Sequence, residues 1–249
     1  MHIQIYEIQI AGLSCKLYLP ADYNNTQKHY PVIYVNGEIP VEEVVHEVKR
    51  IGAGSEFLLL SIQPTDWNDD FTPWSAPAFR KGEKDPAGKA DEYLLRLTRE
   101  IKPFIDANYR TKPEPEHSVL LGYSLGGLAA LYSIYKTDRF GVIGSLSGSL
   151  WYDNFCEYME QHKPLREDLR VYLSLGGKEC LSKNPRMGRV ADCTEQVREI
   201  LMRQLSVNDS DVQDRLFENV FFEWNDGGHF HEIPERFAKA IAWWAKNKA

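Results

Sequence analysis

Cysteine is scarce in this 249-residue chain: there are four (Cys15, Cys156, Cys180, Cys193), and none stands in a CxxC pair. Protein zinc sites draw on closely spaced ligand pairs, so no metal site is expected, and free thiols in a reducing compartment are the reading of the cysteines. Long hydrophobic runs are also missing. No stretch approaches the roughly 18 apolar residues of a membrane span. Residues 1–20 alternate polar and apolar positions, without the basic start and continuous apolar run of an export signal, which reads as a cytoplasmic protein. Positive charge is in deficit, with 29 Lys and Arg against 36 Asp and Glu and a net charge of −7. Nucleic-acid binding rests on clustered Lys and Arg, so neither nucleic acid nor a membrane is an expected partner. No repeat or low-complexity tract is visible, and the sequence leaves the oligomeric state open.

What the chain has is the composition of a globular domain, 43% hydrophobic and 26% charged, at a length one α/β domain can fill, so residues 1–249 read as one domain. Two period-two segments, IQIYEIQI and LSCKLYLP, flank Ala11-Gly12 and predict an N-terminal antiparallel hairpin. Thereafter short apolar runs (PVIYVN, FLLLSI, HSVLLGY, GVIGSLS, LRVYLSL, VFFEW) alternate with helical periodicity over residues 40–51, 89–108, 125–136, 189–205 and 234–247. Continuous apolar strands between amphipathic helices imply a mostly parallel sheet covered on both faces, a three-layer αβα sandwich. In 89–108 the stripe Leu94, Leu97, Ile101 and Ile105 faces inward, Arg96, Arg99 and Lys102 point elsewhere, and Pro103 should kink the helix. Residues 64–88 are irregular and rich in Pro, Gly, Asp and Trp; a loop of that length predicts a wall of a binding site.

The chemistry concentrates where strand HSVLLGY meets helix LGGLAALYSIYK. The junction Gly122-Tyr123-Ser124-Leu125-Gly126-Gly127 is GxSxG in a strand–turn–helix context, which lifts a serine hydroxyl out of the sheet on a sharp turn. Ser124 is the expected nucleophile; capping the helix is the bland alternative. The amide of Leu125, at a helix N-terminus, is placed to stabilise an oxyanion, and Gly37, after strand PVIYVN, is expected to supply the second amide. A serine hydroxyl needs a base, and in this order of elements the histidine comes last. His229 is expected over His231, because Gly227-Gly228 forms the turn before it; His2, His29, His46, His117 and His162 come too early in the chain. Glu179, after LRVYLSLGG, is the expected acid, with Asp192 and Asp226 as alternatives.

With these residues in hand, the chain resembles the esterase family of the α/β-hydrolase fold that includes esterase D-like enzymes and enterobactin-type siderophore esterases. The resemblance rests on YVNGE, DDFTPW, GKADEYLLRLTREIKPFIDANYRT, GYSLGG with SLSGSLWY, and GGHFHEIPERFAKAI. It implies Ser124 as nucleophile, His229 as base and Glu179 as acid, although the strand end reads Asn36-Gly37 in place of the more usual Asp-Gly. Trp151, Tyr152 and Trp74 are expected to line the substrate pocket. The expected function is hydrolysis of a small-molecule carboxylic ester through an acyl-enzyme, with no cofactor. A catecholate siderophore ester would call for a basic patch, for which Arg80, Lys81, Lys178 and Arg186 are scattered candidates. A thioester substrate, and an inactive binding protein on the same fold, are the other readings.

Overall fold

The computed structural model describes residues 3–54, 56–205 and 219–246. Its frame is one eight-stranded sheet in the order β1-β2-β4-β3-β5-β6-β7-β8. The hairpin β1 (Gln4–Ile10) and β2 (Leu13–Leu19) turns at Ala11 and Gly12, both in left-handed conformations, and β2 joins β4 (Leu58–Ile62) antiparallel. From β4 onward every pairing is parallel, through β3 (Val32–Asn36), β5 (Ser118–Tyr123), β6 (Val142–Leu146), β7 (Arg170–Gly176) and β8 (Val220–Asn225).

The central strands β3, β4, β5 and β6 are buried at every position, as expected of strands covered on both faces. One apolar layer packs under α1 (Val41–Arg50) and the C-terminal helix Ile233–Lys246, with Val44, Val48, Phe57, Phe237, Ile241 and Trp244 at its centre. The opposite layer holds Leu97, Ile101, Leu128, Leu131, Ile143 and Val197. The parallel strands end on one rim, and the loops that follow β3, β5, β7 and β8 bring the chemistry together there.

The region 89–108 departs from expectation in two ways. It is α3 (Ala90–Arg96), a π-helical turn over Leu97–Ile101, and α4 (Lys102–Asn108). Pro103 lacks an N–H and its ring would crowd the carbonyl of Arg99; the widened turn just before it absorbs the extra residue. Lys102 does not point to solvent: it is buried, with Nζ 2.9 Å from both an Asp106 carboxylate oxygen and the Pro113 carbonyl. The stripe Leu94, Leu97, Ile101 and Ile105 is buried as its spacing implies.

The segment 64–88 contains one short helix, α2 (Trp67–Asp70), capped by the Asp66 carboxylate on the amides of Asn68 and Asp69. Buried Asp69 anchors the rest, accepting from the Ala87 amide at 2.8 Å and Lys84 Nζ at 3.1 Å. Among the described residues the remaining α-helices are α5 (Leu125–Tyr132), α6 (Phe155–Gln161), α7 (Val190–Gln204) and α8 (Ile233–Lys246). Among the described residues no helix is long and apolar enough to cross a membrane.

Candidate active site

Ser124 sits between β5 and α5 with φ 56° and ψ −122°, a conformation a non-glycine residue adopts only under constraint. The constraint is visible in its neighbours. A Cβ at Gly122 would lie 2.0 Å from the Gly126 carbonyl oxygen, and one at Gly126 would lie 2.6 Å from the Asn36 carbonyl oxygen. Both glycines are therefore demanded by close backbone approach. The Ser124 side chain makes no capping bond to α5; its Oγ lies 3.0 Å from His229 Nε2 and 3.3 Å from Ser149 Oγ.

His229 Nδ1 is 2.7 Å from Glu179 Oε2. The three residues predicted as nucleophile, base and acid thus stand in one chain of hydrogen-bond distances. Glu179 opens a 3₁₀ turn just after β7, and its side chain is 4% exposed. Its other oxygen, Oε1, accepts from Ser147 Oγ at 2.6 Å, the Gly176 amide at 2.8 Å and Arg236 Nη1 at 3.0 Å. Burial raises the pKa of this carboxyl, but the hydrogen bonds from His229, Ser147 and Gly176 outweigh it, so the group is held below the usual carboxylate range. Asp192 and Asp226 are exposed, and His231 is turned away, its Nδ1 3.5 Å from Glu232.

Of the two amides predicted for an oxyanion, Leu125 occupies the first position of α5, where an N–H has no intrahelical acceptor. Gly37 is a correction. Its amide donates to the Ile62 carbonyl at 2.9 Å and is not free. Glycine is needed there for another reason: φ is +105°, and a Cβ would lie 2.6 Å from the Trp67 ring, so Gly37 lets that indole close over the site. Asn36 is structural. It donates to the Gly126 carbonyl and accepts from the Tyr93 hydroxyl, locking the strand end to the elbow.

Ser124 and His229 lie at the junction of two lobes of one cleft. The larger, about 400 Å³, is walled by Trp67, Phe79, Trp151, Met187, Val190 and Phe230, with Arg80 and Glu83 at its edge. The smaller, about 320 Å³, is bounded by Glu38, Ile39, Pro40, Tyr123 and Ile233 and shares Trp67 and Phe230. The 64–88 segment does form a wall, but through Trp67 and Phe79. Trp74 and Tyr152 are corrections. Trp74 Nε1 donates to the Asp153 carbonyl at 2.9 Å, its ring packs on Tyr132, Tyr152 and Tyr158, and the Tyr152 hydroxyl donates to the Trp74 carbonyl. Both support the wall from behind, and of the three predicted aromatics Trp151 lines the cleft. Arg186, a candidate cation, is spent on Asp153 and on the carbonyls of Pro77 and Ala78.

Sequence reasoning missed Arg236, Ser147 and Tyr123. Arg236 was legible as a charge inside the apolar stripe Ile233, Phe237, Ala240, Ile241 and Trp244 of α8. Ser147 and Tyr123 gave no signal beyond adjacency to the elbow. Among the described residues no group of three or more His, Cys, Asp or Glu could hold a metal ion.

Comparison with known proteins agrees with this architecture. The protein YbbA of Bacillus subtilis (strain 168), itself uncharacterized, is 28% identical over 242 residues, covering 94% of this chain and 93% of YbbA. The iron(III) enterobactin esterase of Escherichia coli (strain K12) is 31% identical over 145 residues, which is 55% of this chain and 30% of that enzyme. The crystal structure of an IroE-like serine hydrolase from Shewanella oneidensis superposes with a TM-score of 0.74 at 17% identity, over 97% of this chain and 79% of the other. The enterobactin esterase FES from Shigella flexneri, solved in the presence of enterobactin, matches with a TM-score of 0.68 at 15% identity, over 99% of this chain and 59% of FES. These likenesses fix the fold as that of the α/β-hydrolase esterases. The family model described as "Putative esterase" matches residues 12–233, and the chain belongs to that esterase family.

Proposed function

We propose that the chain hydrolyses a carboxylic ester through an acyl-enzyme on Ser124. The observation that carries this reading is the run Ser124 Oγ, His229 Nε2, His229 Nδ1, Glu179 Oε2 at 3.0 and 2.7 Å, set on a strained elbow at the meeting of two lobes. His229 takes the hydroxyl proton as Oγ attacks the acyl carbon, and Glu179 fixes the imidazole and stabilises the cation that forms. The amide of Leu125 donates to the oxyanion, and we assign the second donor to the backbone amide of Glu38, which follows Gly37 and borders the smaller lobe. His229 then returns the proton to the leaving alcohol. Water, activated by the same imidazole, releases the acid.

The walls favour an ester with apolar or aromatic groups. Trp67, Phe79, Trp151 and Phe230 line the cleft with aromatic rings beside Met187 and Val190, while its exposed charges are Arg80 against Glu83 and Glu38 paired with Lys16 at 2.6 Å. A polyanionic ferric siderophore would need a cluster of free cations, and Arg186 is already committed. The relatedness to enterobactin esterases keeps a trilactone siderophore as the second reading.

The test is a panel of neutral alkyl esters, a neutral aromatic ester, their carboxylate-bearing analogues, an acyl-glutathione and a trilactone siderophore, with Ser124→Ala as control. Neutral esters should lead by about tenfold or more in kcat/KM, and Ser124→Ala should lose at least about a thousandfold in kcat. A preference for the trilactone would install the second reading, and full activity in Ser124→Ala would end the serine-hydrolase reading.

A further inference from the structure

Arg236 is 1% exposed, and burying a guanidinium so far from water is costly unless its charge and most of its donors are met; here Nη1 and Nη2 are bonded, and Nε has no partner among the described residues. Its partners are all in the site. Nη1 lies 3.0 Å from Glu179 Oε1 and 3.1 Å from the Tyr123 hydroxyl, and it also donates to Ser147 Oγ. Nη2 donates to two carbonyls of the histidine loop, Asp226 at 3.1 Å and Gly228 at 2.8 Å. The Tyr123 hydroxyl in turn donates to the carbonyl of His229.

We propose that Arg236 is the positioning residue of this site, tying the acid to the loop that carries the base. The proposal rests on the reading of Ser124, His229 and Glu179 given above. Three donors converge on Glu179 Oε1, which leaves Oε2 directed at His229 Nδ1. The histidine loop is tied to the segment after β7 by the Lys178 amide on the Gly227 carbonyl at 3.0 Å, and beyond that point Phe230 is 82% exposed. Its carbonyls at 226, 228 and 229 are held by Arg236 directly and through Tyr123. One planar fork therefore sets both ends of the Glu179–His229 contact, a task for which a rigid guanidinium suits better than a flexible ammonium.

Fork and charge have separable consequences. The fork sets geometry. The charge balances Glu179, the buried carboxylate that holds the imidazole. The ionisable groups facing His229 are Glu179 after β7 and Tyr123 on β5, with Arg236 of α8 behind them; across the cleft stand Glu38 after β3 and the Arg80–Glu83 pair of the 64–88 segment.

Three variants of the full chain test this, each read by thermal melting, by kcat and KM for the best ester across pH, and by fluorophosphonate labelling. Arg236→Lys keeps the charge and loses the fork: kcat should fall about 10- to 100-fold with KM within about threefold. Arg236→Gln also loses the charge that balances Glu179, and its kcat should fall further than that of Arg236→Lys, again with KM little changed. Tyr123→Phe removes a single hydroxyl and should lower kcat by about tenfold, which keeps the test alive if neither Arg236 variant folds. Folded Arg236 variants with wild-type kcat would overturn the proposal. So would unfolded Arg236 variants alongside a fully active Tyr123→Phe, since Arg236 would then serve stability alone. A wild-type chain that neither labels nor hydrolyses any ester overturns the underlying reading and this proposal together, whereas a labelled, active wild type with equally active variants rejects the role of Arg236 alone.

Discussion

Glu179 concentrates the electrostatics of the site in one side chain. Its folded-state pKa lies below its unfolded value, so its stabilising contribution is fully present above the unfolded carboxylate value, about 4.3, and is lost as pH falls through the lower folded value. Glu179→Gln removes one partner of a buried pair and leaves Arg236 uncompensated, which should cost roughly 3 kcal/mol at pH 7. Melting curves of the two proteins should differ most at neutral pH and converge only as pH falls through the lowered folded-state value of Glu179, where the wild-type carboxyl is protonated too. Activity at pH 7 should drop about a hundredfold to ten-thousandfold, because the amide cannot stabilise the imidazolium and can present the wrong group to Nδ1. A gap in melting temperature that does not vary with pH would contradict the ionised state of Glu179. At this scale order and spacing picked out Ser124, His229 and Glu179, three residues that the fold brings within hydrogen-bond distance. It was opaque where a side chain's role depends on what faces it. Trp74 in the long loop and Tyr152 just past the sixth strand stand where pocket residues are expected, but their polar atoms bond to backbone behind the wall. Gly37 was assigned to the oxyanion, but its N–H is spent on Ile62, and its lack of a side chain is what the Trp67 ring requires.

The turn from β5 into α5 is the element on which the site depends. Gly122→Ala would push a methyl against the Gly126 carbonyl at a distance no van der Waals contact allows, so the elbow must open. We expect a loss of about 1–3 kcal/mol together with a marked loss of kcat, since the nucleophile moves with the turn. Gly228→Ala is the matched control for stability, because nothing lies within 4 Å of the added carbon and its melting temperature should hold. Denaturant titration of both variants checks the pair; equal stability would mean that the elbow tolerates a side chain. The helices and strands predicted from the sequence lie within a residue or two of those found, because burial on both faces leaves continuous apolar runs and amphipathic helices keep their period, whereas the short helices α2 and α6 went unread, too brief to show a period. The π-turn at Leu97–Ile101 was not, because Pro103 announces a break without saying whether the chain will kink or widen.

At the scale of the molecule, the parallel strands deliver the loops after β3, β5, β7 and β8 to one rim, so residues 36–38, 124, 179 and 229 meet although up to 193 positions separate them. That convergence follows from the sheet order, which alternation of strands and helices implies in kind but not in detail. The lobes depend on side chains from the 64–88 segment and from the start of α7, whose placement no local pattern encodes. The central claim, that this rim activates one serine, is tested most directly by reacting the chain with a fluorophosphonate and mapping the adduct by peptide mass spectrometry. The account predicts a single adduct on Ser124 that forms quickly in the wild type, is absent in Ser124→Ala and forms at least about a hundredfold more slowly in His229→Ala. An unlabelled wild type, an adduct on another serine, or labelling of Ser124 at the same rate without His229 would contradict it.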